Sequence, residues 1–160
     1  MRKKGYGDGE LLASGLAIRG KNGGLYDKFR KRLIFPIIDV RGNVIGFGGR
    51  VMDDSTPKYL NSPETIIFNK RRNLFAMNVV KKSKREFIIL TEGYMDAIAL
   101  HQYGFDCAVA SLGTSLTQEH AALAASVYHD ATVRTSATAS NTAHSSAYLR
   151  AMPSQLRRFS

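Results

Sequence analysis

Residues 87–113 read FIILTEGYMDAIALHQYGFDCAVASLG, and the spacing of apolar residues within them decides the fold. Phe87 to Leu90 form a short, continuous apolar run that stops at Glu92 and Gly93, the pattern of a strand buried on both faces of a parallel sheet. From Tyr94 the period changes. Met95, Ile98, Ala99 and Gln102 or Tyr103 recur at helical spacing, and Gly104 is placed to end that helix. DCAVASLG, residues 106–113, has the look of a second buried strand. SLTQEHAALAASVY, residues 115–128, predicts a second helix with Thr117 as N-cap and His120 at its third position. Strand, helix, strand, helix is the signature of a right-handed α/β unit.

Upstream the character is different. Residues 1–85 hold 19 Lys and Arg against 7 Asp and Glu, whereas residues 86–160 hold 4 against 6, so the net charge of +10 resides wholly in the first part. A basic face of that kind fits a phosphate-backbone binder, since each neutralised phosphate releases counterions. The first 25 residues are glycine-rich, with LLASGLAI as a short expected helix and GKNGG as a turn. LIFPIID and NVIGFGGRVM predict two antiparallel strands joined through VRGN. Pro36 marks the first as an edge or a bulge. Gly46, Gly48 and Gly49 interrupt the second, where a bulge or the close approach of a ligand is expected. A loop with two prolines follows, then a short helix predicted near 71–80, and the charged KKSKRE closes this α+β basic subdomain at residue 85. The α/β unit then occupies 86–130 and a tail 131–160.

The 160 residues, 44% hydrophobic and 22% charged, have the length of about one domain with a small satellite and the composition of a globular protein. No apolar run approaches the roughly 20 residues that span a bilayer. MRKKGYGDGE lacks the apolar stretch of a secretory signal, so the expected compartment is cytoplasmic, without membrane association. Cys107 is the one cysteine, which excludes an intrachain disulfide and a cysteine-based zinc site. It reads as a buried structural thiol, and His101 and His120 read as helix-surface residues.

A carboxylate at the carboxyl end of a buried parallel strand sits where α/β folds bind ligands, and Glu92 is in that place. Gly93 permits a sharp turn into the helix, and Asp96, one turn on, can face the same mouth. Together they are candidates for magnesium, a hard cation that takes a few carboxylates and phosphate oxygens. By themselves the residues of EGxxD are better explained by a helix start and a solvated acid.

The surrounding strings add specificity. FRKRLIFPI, GNVIGFGGRVM, TPKYLNSPET, IFNK, EGYMDAIAL and ASLGTSLT, in that order and spacing, closely resemble the catalytic core of the bacterial DnaG-type primase from about Tyr26 to His120. The resemblance implies a Toprim fold after the basic subdomain, and synthesis of short RNA primers on single-stranded DNA by metal-dependent nucleotidyl transfer. It implies that Glu92 is the Toprim acid and Asp96 a second acid near Mg2+ or Mn2+. Arg50, Lys58, Tyr59, Asn61 and Lys70 would line the groove that grips template, nucleoside triphosphate and primer, with Arg30 and Arg32 extending it. In the family a replicative helicase is engaged through a further domain, and a zinc ribbon recognises template; residues for neither occur in this sequence. Other Toprim enzymes, topoisomerases and nucleases, share the acidic turn but give no reason for PKYLNSPET. A non-catalytic basic nucleic-acid-binding module is the remaining alternative.

The resemblance breaks beyond about residue 127. Of residues 131–160, 16 are Ala, Ser or Thr and none is acidic, so no strand or helix is expected there. At family spacing an Asp-x-Asp would stand near Ser136 and Thr138, and neither is a carboxylate. The expectation is a partial or frame-shifted reading of a primase gene with little or no polymerase activity, which the encoding DNA would reveal through an Asp-x-Asp strand in another frame.

Overall fold

The computed structural model describes residues 1–127 and the backbone of 132–135. Packing divides the chain into two units: Met1–Ile37 with Asn43–Asn69, and Ile38–Gly42 with the chain from Lys70 onward.

The first unit begins with a short helix, α1 (Asp8–Ala13), whose start is fixed by the Glu10 carboxylate accepting the Gly7 amide at 2.7 Å. Gly15, at φ 69, closes it. The helix expected over LLASGLAI is therefore displaced toward the N-terminus, and Ala17–Arg19 forms strand β1 instead, antiparallel to β2 (Leu25–Asp27). The GKNGG turn joins them, with the Gly20 amide donating to the Gly24 carbonyl.

Strands β3 (Arg32–Ile38), β4 (Val44–Val51) and β5 (Tyr59–Asn61) make a three-stranded sheet in that order. β3 lies at its edge, as Pro36 requires. Asp39 ties the β3–β4 turn by accepting the Arg41 amide, and Gly42 completes it at φ 98. The expected interruption of β4 is not found: the strand runs unbroken. Its glycines instead let the protein's own side chains close in. A Cβ at Gly46 would stand 3.2 Å from the Phe68 ring, and one at Gly49 only 2.8 Å from Phe29 and 3.1 Å from Arg32. Gly49→Val is therefore expected to cost about 1–3 kcal/mol by overpacking, seen as a lower urea midpoint; an unchanged midpoint would contradict this packing.

The second unit is a parallel sheet of order β7–β6–β8, formed by β6 (Phe87–Thr91), β7 (Ala108–Ala110) and β8 (Thr132–Thr135). Helix α3 (Tyr94–Gln102) connects β6 to β7, and α4 (Gln118–Val127) leads from β7 toward β8. Leu74, Met77, Val80, Ile88, Val109 and Ala124 form the core, with Val40, Leu90, Leu123 and Val127 packed against it. Burying each large side chain contributes about 1.5–3 kcal/mol. Cys107 is fully buried, the structural thiol expected.

Three expectations are corrected. The helix near 71–80 is confined to α2 (Met77–Val80), because Ala76 is left-handed at φ 65 and the chain before it bridges to Ala110 at the sheet edge. Residues 132–135, expected to form no strand, pair with β6, Phe87 opposite Thr132 and Leu90 opposite Thr135. Hydrogen bonding to a paired neighbour offsets weak apolarity, and Thr132, Val133 and Thr135 are β-branched. The character expected of 136–160 lies outside the described residues. Finally, His120 is not on the surface but fully buried, and half-buried His101 bonds the Ala108 carbonyl at 2.8 Å.

Candidate nucleic-acid interface

In the first unit the sheet register gathers most of the basic residues singled out by sequence. Arg50 on β4 lies directly opposite Tyr59 on β5, and Gly48 opposite Asn61. The Lys58 carbonyl accepts the Val51 amide at 3.1 Å and the Arg32 guanidinium at 3.4 Å, so Lys58 and Arg32 flank the same end of the sheet. Nε of Arg50 is buried without a hydrogen-bond partner among the described residues. Such a group costs about 1–3 kcal/mol unless something satisfies it. Arg30 stands apart, its guanidinium stacked 4.4 Å over Tyr26 beside β2.

The segment carrying Lys58, Tyr59 and Asn61 is anchored by residues whose roles the sequence did not advertise. Ser62, 1% exposed, continues the pairing of β5: its amide donates to the Phe47 carbonyl at 2.8 Å, and its hydroxyl accepts the Phe47 amide at 3.0 Å. Phe68 then folds the chain back, with main-chain bonds to Thr65 in both directions.

In the second unit Glu92 stands at the carboxyl end of β6, the central strand, exposed. Thr91, 3% exposed, fixes the turn: its hydroxyl is shared between the carbonyls of Gly93 at 3.0 Å and Val109 at 3.1 Å. The Ser111 hydroxyl donates to the Glu92 carbonyl at 3.2 Å, tying the end of β7 to that of β6. A threonine closing an apolar run just before the acidic turn was the available signal for Thr91; Ser111 had none. Asp96, in the first turn of α3, brings its carboxylate back over Gly93, where a Cβ would meet it at 3.3 Å. Lys70 belongs to this unit as well.

Among the described residues no three His, Cys, Asp or Glu side chains come together as a metal cage. The donors available are two hard carboxylates one helical turn apart. That set fits one magnesium-type ion retaining most of its waters or taking phosphate oxygens. It is too small for two bridged ions. Among the described residues no helix is long and apolar enough to cross a membrane.

Residues 86–140 match the Toprim domain. Residues 1–81 match the family described as DNA primase catalytic core, N-terminal domain. The chain belongs to the DNA primase family. It is 57% identical over 124 residues to the DNA primase of Clostridium acetobutylicum, covering 77% of this chain and 21% of that protein. It thus spans about a fifth of the length of the relative. A DnaG primase catalytic domain solved with single-stranded DNA superimposes with a TM-score of 0.75 at 43% identity, over 82% of this chain and 44% of that one. The RNA polymerase domain of the Mycobacterium tuberculosis primase DnaG, solved with double-stranded DNA, gives 0.79 at 34% identity, over 94% and 49%. Toprim primases as a class are metal-dependent.

Proposed function

We propose that this chain is a segment of a primase catalytic core, the machinery that makes short RNA primers on single-stranded DNA from nucleoside triphosphates. In this reading the basic residues among 1–85 grip phosphates and the Toprim match from 86 supplies the acid. The observation that carries it is the cross-strand pair of Arg50 and Tyr59, flanked by Lys58, Asn61 and Arg32, together with the unsatisfied Arg50 Nε. The buried Arg50 Nε, without a partner among the described residues, is well suited to donate to a phosphate oxygen. Tyr59, 45% exposed, offers a ring on which a base can stack. Lys58 and Lys70 contribute point charges, and Arg30 extends the basic surface while resting on Tyr26.

Glu92 and Asp96 are the residues that would hold Mg2+ or Mn2+. The metal, when bound, neutralises charge developing on the transferring phosphoryl group. The rigid turn set by Thr91 and Ser111 keeps Glu92 at the sheet edge while that charge develops. A replicative helicase would be a partner of the longer protein, through residues beyond this sequence. The ssDNA-bound relative, whose catalytic domain resembles this chain, supports the template assignment.

Binding to a labelled oligo(dT) across a salt series tests the reading. If the groove neutralises about four phosphates, log K falls against log salt with a slope of about −3, and Arg50→Ala and Lys58→Ala each remove about 0.7 of it. Primer synthesis by the unaltered chain is expected to be absent or weak, for want of further carboxylates. Salt-insensitive binding, or binding indifferent to Arg50 and Lys58, would sink the proposal.

A further inference from the structure

His120 is fully buried, yet both ring nitrogens are engaged. Thr117 and His120 form a reciprocal cap at the start of α4: the His120 amide donates to the Thr117 hydroxyl at 3.1 Å, and the Thr117 amide donates to Nδ1 of His120 at 3.3 Å. Glutamate or glutamine normally fills the third position of such a box. A histidine there has a second nitrogen to spare, and Nε2 reaches the Lys70 carbonyl at 2.7 Å. The Thr117 hydroxyl in turn donates to the Arg71 carbonyl at 2.8 Å. Consecutive carbonyls of the basic run Lys70-Arg71-Arg72 are thereby fastened to one helix end, about fifty residues away in sequence.

We propose that Thr117 and His120 are positioning residues that set the backbone of Lys70 and Arg71 so that this run meets nucleic-acid phosphate, and that acid loosens the cap through which they do so. The inference rests on the proposed role of Lys70 in binding template phosphate. The partners fix the tautomer. An amide N–H can only donate and a carbonyl can only accept, so Nδ1 is bare and Nε2 carries the proton. A proton arriving at Nδ1 removes the acceptor that the Thr117 amide uses. Charged neighbours of the ring are Glu119 on α4, which favours the imidazolium, and Arg71, which opposes it. β6 and β7 present only Ile88, Leu90 and Val109 to the same apolar space. Burial holds the imidazole below its ordinary value of 6.5, ahead of the opposing carbonyl bonds to Lys70 and Asn73. A ring whose folded value is depressed gives up stability as pH falls, because the released ring takes the proton more readily. The Thr117 amide bond to Nδ1 is therefore held at neutral pH and lost as pH falls through the folded value, which lies below 6.5, while Nε2–H keeps its bond to Lys70.

Oligo(dT) affinity of the full chain, followed from about pH 7.5 to about pH 5.5, tests this. His120→Leu and Thr117→Val each weaken binding by roughly fivefold, as does Lys70→Ala, and His120→Leu adds little once Lys70 is gone, since the two act through one contact. Thr117→Ser restores binding. His120→Gln keeps the box with a group that does not titrate in this range, so the acid loss seen in the unsubstituted chain disappears; the other histidines, common to both proteins, cancel in that comparison. Lys70-dependent binding left unchanged by His120→Leu and Thr117→Val overturns this inference alone. Absence of oligo(dT) binding by the unsubstituted chain overturns the proposed function and this inference with it. Should His120→Leu fail to fold, parallel pH profiles for the unsubstituted chain and His120→Gln overturn the inference.

Discussion

Ser136→Asp combined with Thr138→Asp is expected to tighten Mg2+ binding by roughly one to two orders of magnitude, because affinity at oxygen-ligand sites follows the number of charged ligands. The reason lies in the strand register. β8 runs parallel to β6 and ends at Thr135, which pairs with Leu90, two residues before Glu92. Parallel strands bring their carboxyl ends to one edge of the sheet, the edge where α/β proteins bind ligands. Ser136 is the next residue in the chain. The expected gain requires the new carboxylates to act together with Glu92 and Asp96. Adding Glu92→Gln to the double substitution should remove most of the gain, and calorimetric titration with Mg2+ measures both changes. A gain that survives Glu92→Gln would mean that the new acids act alone, and the shared-edge account would fall. Primer synthesis, proposed to be weak or absent in the unaltered chain, is expected to appear in the double variant.

Phe68→Ala is expected to destabilise the first unit by about 3–5 kcal/mol, the usual cost of deleting a buried aromatic ring. Phe68 is completely inaccessible, and its ring lies against Gly46 of β4 where a side chain would otherwise stand. Both of its main-chain groups bond Thr65, whose hydroxyl also accepts the Phe68 amide at 3.1 Å. The ring thus closes the loop that returns from β5, and its loss leaves Tyr59 and Asn61 on a poorly anchored strand. A typical domain is stable by about 5–15 kcal/mol, so this loss removes a large share of it and lowers the unfolding midpoint markedly. Circular dichroism in a urea series measures this; the chain has no tryptophan to report by fluorescence. A loss under about 1 kcal/mol would show that the site collapses around the gap.

Much of the second unit was readable in advance because its signals are local. The apolar run of β6, the change of period at Tyr94, Gly104 at φ 83 just beyond α3, and Thr117 as the cap of α4 all announce themselves within a few residues. The DNA primase resemblance likewise stood on contiguous strings. The failures share a different cause. Nothing near Ala76 signals a left-handed residue, which arises because Phe75 is drawn into a bridge with Ala110. The composition of residues 131–135 argues against a strand, but the pairing partner, β6, is more than forty residues distant. His120 occupies a capping position that is ordinarily exposed, and its burial follows from the approach of Lys70. Of the site, the residue types were legible, while the face-to-face placement of Arg50 and Tyr59 depends on a register set by the turn between β4 and β5.

The turn at Ile38–Gly42 carries one more consequence. It packs with the second unit, where the Lys81 ammonium donates to the Val40 carbonyl at 2.8 Å, although the strands on either side belong to the first. The peptide therefore crosses from one unit to the other after Ile37, after Gly42 and after Asn69. No single cut separates two whole parts. In evolutionary terms, a recombination junction at Asn69 would carry residues 38–42, which pack with one unit, along with the other.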